Sequence, residues 1–390
     1  MTRRRVVTVW AATRLLLLVL LAVPVVGGPR LFADMRFYEL WGNGIADWSR
    51  VPFRDFVWEY PPGAALVVTP PAFFGSLYPV VFVAMMLLAD YGVLAALVRL
   101  GDRLGSDRGV RLWLAGITLM GPIVFGRYDT VSAWLAVLTL LAIASAAPIA
   151  AGVALAGGFV TKLWPALLLI VVPYVSGRRR ILGAAGATVA LTALAVLATG
   201  GAEHGDELVQ RHSGRGLQVE SIAATPLVVA QRAGAAVDIS HYKSSGSWDV
   251  TGTGTSAALT AASVASLLAL ALIAVLAWRA RRVPETFADL AAVALLLLTV
   301  TGKILSPQYV IWLLALFAAA LCRRGSPLVV PAAIVAGCGV LGQYVYPAYY
   351  IDLVNGDGLP VVVALVLRNV LLLVATALAV RALWRSTATP

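Results

Sequence analysis

The sequence predicts an all-α polytopic membrane protein, and three observations predict it. The first is composition. Of the 390 residues, 60% are hydrophobic and the mean hydropathy is +0.88, which leaves too little polar surface to cover a water-soluble fold. The second is length of run. Apolar stretches at 80–97, 181–198 and 257–278 come close to or exceed about 30 Å of hydrocarbon at about 1.5 Å per helical residue, and the stretch at 15–26 does so as part of a span at 6–27. The third is where the charge sits. The net charge of +11 gathers in short loops between those stretches, at 3–5, 99–111, 178–180, 279–282, 323–324 and 381–385. That is the positive-inside pattern of membrane insertion. It argues against reading a pI near 10 as a nucleic-acid surface, and it makes membrane lipids with anionic headgroups a partner.

Placing every basic loop in the cytoplasm fixes the parity of crossings between loops. A first span at 6–27 carries the chain out. Because "AVPVVGG" offers a poor signal-cleavage site, this span is expected to remain. Segment 28–62 is then extracytoplasmic, and one crossing at 77–98 returns the chain. The apolar stretch "GAALVVTPPAFF" before it dips into the membrane without crossing, since Pro70 and Pro71 break a continuous helix. Residues 111–178 require an even number of crossings, read as 111–125, 130–147, 149–161 and 163–176, all short enough to need shelter from neighbours.

A span at 181–199 leads out to a second extracytoplasmic segment, 200–257, rich in Gly, Ser, Thr and charge. Spans follow at 258–278, 286–301, 308–322, 327–346 and 359–380. The expectation is a single integral membrane domain over 1–390 with about twelve transmembrane helices and both termini cytoplasmic. No internal repeat stands out. Cys322 and Cys338 fall at different depths and carry no redox signal.

This topology gathers the polar chemistry on the outer face. The first loop supplies Asp34, Tyr38, Arg54, Asp55, Glu59 and Tyr60. Helix tips add Arg127 and Asp129 in "GRYD", Lys162 in "TKLWP", and Lys303, Gln308 and Tyr309 in "TGKILSPQY". The long segment adds His204, Arg211, His212, Arg215, Glu220 and His241.

Each candidate has two readings. Asp34, just after the first span, is either a general base at the membrane boundary or a solvated residue near a helix end. In "FRDFVWEYPP", Asp55 and Glu59 stand four apart like a two-carboxylate site, but the prolines and aromatics equally make an interfacial anchoring belt. Lys162 and Lys303, each followed closely by a proline that can open a helix, either form an anion site or snorkel to the interface. "AEHGDEL" at 202–208 matches no common metal-ligand spacing. There is no Asp-x-Asp, no phosphate-binding glycine loop and no Gly-x-Ser-x-Gly, so nucleotide-sugar enzymes, ATPases and α/β-hydrolases lose support.

Five segments, "DMRFYELWGNGI", "VPFRDFVWEYPPGAAL", "GRYDTVSAWLAVLTLLA", "GFVTKLWPALLLIVVP" and "SPQYVIWLLAL", resemble in order the recurring segments of glycosyltransferase family 87. These are GT-C enzymes that use polyprenyl-phosphate sugars and include actinobacterial mannosyltransferases and arabinosyltransferases. The resemblance runs from about residue 30 to 320. It implies a catalytic aspartate in the first extracytoplasmic loop, at Asp34, with Asp55 as the alternative base.

It also implies transfer of a sugar, mannose or arabinofuranose, from a polyprenyl-phosphate donor to a glycolipid or cell-wall glycan acceptor, with inversion, at the plasma membrane. Lys162, Lys303, Arg127 and Arg54 are then the candidates for holding the leaving phosphate. Tyr38, Glu59, Tyr60, Asp129, Gln308, His204 and His241 are those for sugar or acceptor. No metal and no cofactor are expected to be required, and the half-embedded stretch would shape a groove for the polyprenyl tail. A transporter of a lipid-linked sugar is the rival reading. Charges collected at one face, without repeated halves, favour the transferase.

Overall fold

The computed structural model describes residues 1–24, 31–56, 58–201, 214–242 and 246–388. Helix accounts for 75% of it, which places the chain in the all-α membrane class expected. Among the described residues, six stretches are long and apolar enough to cross a membrane: Pro62–Leu104, Arg178–Ala198, Thr255–Ala280, Pro284–Thr301, Val329–Ala348 and Leu359–Ser386. Shorter apolar helices pack between them.

Helix α1 (Arg3–Leu21) is followed by α2 (Ala33–Ala46), a helix within the first loop that the hydropathy pattern does not announce. The stretch expected to dip is broken into a 3-10 turn at Pro62–Ala64, one α-turn at Ala65–Val68 and a second 3-10 run at Pro70–Leu77. Prolines head both 3-10 pieces, where a missing N–H costs nothing. Leu66, Phe73, Phe74 and Leu77 are left exposed there, facing outward from the protein. Helix α3 (Tyr78–Leu104) follows, then α4 (Arg108–Leu119), a single turn at Ile123–Gly126, α5 (Asp129–Ala144) and α6 (Pro148–Thr161). The span expected at 163–176 is two 3-10 pieces, Trp164–Ile170 and Val172–Tyr174, each with proline near its start. Helix α7 (Arg178–Ala198) then leads to the second polar segment.

That segment departs from the all-helical expectation. It holds β1 (Leu217–Gln218), α8 (Thr225–Arg232), β2 (Val237–Tyr242) and β3 (Ser247–Gly252). The strands form one antiparallel sheet in the order β1-β3-β2, with Leu217 and Ile239 both opposite Val250. Those three side chains face one way and are buried with Val345, Leu353, Val361 and Leu365. So small a sheet is marginal alone and needs a surface to pack on. The surface comes from the C-terminal third of the chain, which no local pattern in 214–252 announces.

Helices α9 (Thr255–Ala280), α10 (Phe287–Thr301), α11 (Tyr309–Leu321), α12 (Val329–Gln343), α13 (Tyr350–Asn355) and α14 (Leu359–Ser386) complete the fold. Helix α11 is apolar all round, and Val310 to Leu321 are buried without exception, so it is the central post. Gly109 on α4 lies directly against the Ala318 carbonyl of α11, a backbone approach that any side chain would block. Midway along the helices Arg14 of α1 is buried against Asp90 of α3, with Nε and Nη2 donating to the two carboxylate oxygens at 2.8 Å each. Trp10 and Trp113 donate their indole N–H groups to the same carboxylate. Asp90 is thereby fully satisfied and pins three helices together.

Candidate active site

Asp34 sits in the first turn of α2, where a carboxylate is favoured by the helix dipole. Its partner is Arg127, with which it forms a close salt bridge. Gly126 makes that meeting possible. A Cβ there would stand 2.6 Å from the Leu31 carbonyl oxygen, so only glycine lets the turn at Ile123–Gly126 close on the start of α2. Arg127 then extends with φ −134° and ψ 145° and reaches a second partner, Tyr346, whose hydroxyl accepts from Nη2 at 3.5 Å. Its Nε is buried and makes no hydrogen bond, so the guanidinium retains a donor.

Two residues on, Asp129 opens α5 with its carboxylate wholly buried. One oxygen accepts from Lys162 Nζ at 2.7 Å and from Trp312 Nε1 at 2.5 Å, while the other is buried without a partner. Lys162 leaves the end of α6 in an extended conformation and enters an aromatic box. Its ammonium lies 4.5 Å from the ring centre of Tyr128, 5.5 Å from Trp312 and 5.9 Å from Tyr60. Burial pushes its pKa down, and the Asp129 carboxylate opposes that.

The box is built from several elements. Tyr309 stacks on Trp312 at 3.9 Å, and Trp164 stacks on Trp312 at 5.6 Å. Tyr38, from α2, is buried against Tyr60, Tyr128 and Phe82 and hydrogen-bonds with Tyr60. Burial raises the pKa of both phenols, which therefore stay protonated at physiological pH.

The second polar segment closes the site from the other side. The Gln218 N–H donates to the Lys303 carbonyl at 3.0 Å, and the Leu305 N–H donates to Gln218 Oε1 at 3.2 Å, so β1 is stitched to the loop that leads into α11. This places Arg215 where its charge acts on both Tyr60 and Tyr309, and its Nε is buried without a hydrogen bond. Glu220, also buried, pairs with Arg368 of α14 at 2.5 Å, and its backbone carbonyl accepts from Arg368 at 2.9 Å and from Asn369 at 3.1 Å. Burial raises the Glu220 carboxyl pKa against the pull of Arg368, and Arg127 also lies within electrostatic reach of it.

Asp34, Arg127, Asp129, Lys162, Tyr38 and Tyr60 are thus brought into one constellation from four separate stretches of chain. Gln308 borders it, one residue before α11, with a buried and unbonded side-chain carbonyl. Lys303 contributes the backbone carbonyl that anchors β1. Arg54 and Asp55 pair with each other instead. Both arms of the guanidinium fork donate to the carboxylate, at 2.9 and 2.8 Å, and the Val51 N–H adds a third bond at 2.7 Å. Arg54 and that N–H hold the Asp55 pKa at about 2. Glu59 is half-buried between Trp58 and Tyr60. His241 is exposed on β2, edge-on to Trp248 at 5.2 Å. His204, like Arg211 and His212, lies outside the described residues. Among the described residues no group of three or more His, Cys, Asp or Glu is placed to hold a metal ion.

Sequence reasoning missed Tyr128, Trp312, Tyr346 and Arg368. Arg368 had a legible signal, a guanidinium inside the apolar run "VALVLRNVLLL", where an ionisable residue stands out by its cost. Arg14 and Asp90 carried the same signal. The aromatics had none, because Trp and Tyr near span ends are expected as interfacial anchors whatever else they do.

A search of curated proteins finds no match to this chain. The profile of one glycosyltransferase family matches residues 58–307, which begins beyond Asp34 and Asp55 but takes in Tyr60, Arg127, Asp129, Lys162, Arg215, Glu220 and Lys303. With more than half of its length matched, on a bundle of apolar helices, this membrane protein belongs to glycosyltransferase family 87.

Proposed function

We propose that the chain transfers a sugar, mannose first among the candidates and arabinofuranose the alternative, from a polyprenyl-phosphate donor to a glycolipid or cell-wall glycan acceptor. The reaction takes place on the extracytoplasmic side of the plasma membrane, in a topology of twelve crossings with both termini inside. The observation that carries this reading is the Asp34–Arg127 salt bridge, which sets a carboxylate and a guanidinium side by side at the mouth of an aromatic box.

Asp34 is the base. It takes the proton of an acceptor hydroxyl as that oxygen bonds to the anomeric carbon. The bond from that carbon to the phosphate oxygen breaks on the opposite face, so the configuration inverts and polyprenyl phosphate leaves with the electron pair. Arg127 masks Asp34 before the donor arrives. A donor phosphate draws the guanidinium toward itself and frees the carboxylate, so base and electrophile are activated together. Arg215, with a buried unbonded donor beside Tyr60 and Tyr309, is the second group for the phosphate.

Lys162 is held by Asp129 and, in this reading, shapes the pocket instead of meeting the phosphate directly. Arg54 and Asp55 brace the first loop, and a carboxyl with a pKa of about 2 is a weak proton acceptor. The exposed apolar residues Leu66, Phe73, Phe74 and Leu77 flank the path for the polyprenyl tail.

The test is transfer of label from polyprenyl-phosphate mannose to a membrane-lipid acceptor by the purified protein. D34N should slow transfer by about 10²- to 10⁴-fold while binding donor normally. Full activity in D34N would remove Asp34 as base, and no product from wild type with either sugar donor would reject the reaction. Chelators should leave the rate unchanged, because guanidinium groups hold the leaving phosphate. A loss restored by added Mg²⁺ would assign that task to a metal.

A further inference from the structure

At the end of the bundle away from the sheet, α9, α10 and α14 border an open groove of about 630 Å³ on the outer face of the bundle. Helix α9 starts directly after β3, and the first turns of α14 pack under the sheet. Over 26 and 28 residues these helices carry their C-terminal ends roughly 40 Å from it. The inner part of the groove is apolar, lined by Leu272, Leu297, Leu373 and Val380. Its mouth is Arg381, Trp384 and Arg385. From Leu373 to Arg385 it follows α14 for roughly 18 Å, close to the depth of one leaflet, about half of a 30 Å hydrocarbon core.

The mouth is cationic beyond its own two arginines. Arg279 lies 4.0 Å from the ring centre of Trp384 and donates to the Trp384 carbonyl at 3.3 Å, and Arg281 and Arg282 cover Trp278 at 4.7 and 5.4 Å. None of these five guanidinium groups meets a carboxylate among the described residues. Insertion alone accounts for basic residues at this edge of the membrane. It does not account for an open apolar groove running about a leaflet's thickness along the helices beneath them.

We propose that this groove is a binding site for an anionic glycerophospholipid of the adjacent leaflet. One acyl chain fills the slot between α10 and α14, and the phosphate sits among Arg381, Arg385 and Arg279 beside the Trp384 ring. Charge complementarity selects the anionic headgroup and the slot selects a chain-bearing ligand, so a soluble phosphate satisfies only half the site. A polyprenyl phosphate shares this chemistry, but in the reaction proposed above its phosphate is needed at the other end of the bundle. The phospholipid is therefore the occupant.

The experiment uses the full-length protein in nanodiscs of phosphatidylcholine with a minor fraction of phosphatidylglycerol, released into native mass spectrometry to read retained lipid. Wild type should retain phosphatidylglycerol over phosphatidylcholine. R381A/R385A should lower that retention on the order of tenfold. R178A/R179A, which removes equal charge from the exposed start of α7, should not. A377W, which fills the slot from an exposed position and leaves every arginine in place, should also expel the lipid. Equal retention of the neutral lipid, unchanged retention in R381A/R385A, or equal loss in R178A/R179A would each overturn the site. Displacement of phosphatidylglycerol by added polyprenyl monophosphate would overturn the assigned occupant.

Discussion

At the scale of single residues, the candidate site leaves some charges incompletely matched. Asp129 has one oxygen that accepts two hydrogen bonds and another, equally buried, that accepts none. Removing its cation should therefore be costly. K162M strands a buried carboxylate and should destabilise the protein by about 3–5 kcal/mol, and K162M/D129N should recover most of that loss. Thermal unfolding of the two variants in one detergent checks the pair, and a double variant no more stable than the single would show that Lys162 stabilises through packing instead.

Asp55 makes a different prediction. Its pKa is depressed to about 2, below the ordinary carboxylate range. The stability it contributes is thus complete above about pH 4 and lost only as pH falls toward 2. D55N should accordingly leave the shape of the pH–rate profile between pH 5 and 8 unchanged. A shift of the acid limb in D55N would return Asp55 to candidacy as the base.

At the scale of elements, the small sheet depends on its latch. Arg368 of α14 reaches both the carboxylate and the backbone carbonyl of Glu220, and Asn369 adds a bond to that carbonyl and another to Thr225 at 2.7 Å. Four bonds from one helix thus fix the turn that follows β1, and with it Arg215. R368M leaves Glu220 buried and unpaired, so the carboxyl is expected to take up a proton or the turn to move. Transfer should fall through loss of donor affinity, seen as a raised KM for the donor with kcat less affected. A fall in kcat alone would detach the latch from donor binding. Gly126 gives a sharper test of element placement. G126A puts a methyl group against the Leu31 carbonyl, so the backbone must shift; it should displace Arg127 from Asp34, lowering activity and also thermal stability.

At the scale of the whole molecule, the buried Arg14–Asp90 pair lies within the bundle and two further polar clusters lie toward opposite ends of it. The acid–cation constellation and the sheet occupy one end, and the arginine cluster with its groove occupies the other. The proposed orientation is directly testable, because Cys322 and Cys338 are both fully buried and give a silent background. In intact cells T253C, beside the sheet, should react with a membrane-impermeant maleimide, while R103C should react only after permeabilisation. Labelling of both, or of R103C alone, would break the twelve-crossing topology.

The all-helical membrane class was legible in the sequence, and the same local quantities supply the proposed orientation. Hydropathy, span length and the placement of arginine are summed, local quantities, and the bilayer acts on them directly. The same local signals marked "GRYD", "TKLWP" and the Asp34 loop as chemistry-bearing, since charge is conspicuous against an apolar chain. Tertiary structure alone decided which charge meets which. Asp34 and Arg127 are 93 residues apart and Glu220 and Arg368 are 148 apart, and no periodicity links such positions. It also decided that Arg54 meets Asp55 at the rim, that Lys162 is neutralised within an aromatic box, and that Arg215 keeps a buried donor unbonded. The sheet was equally hidden, because its strands are too short to hold themselves and exist by packing on helices roughly a hundred residues further along the chain.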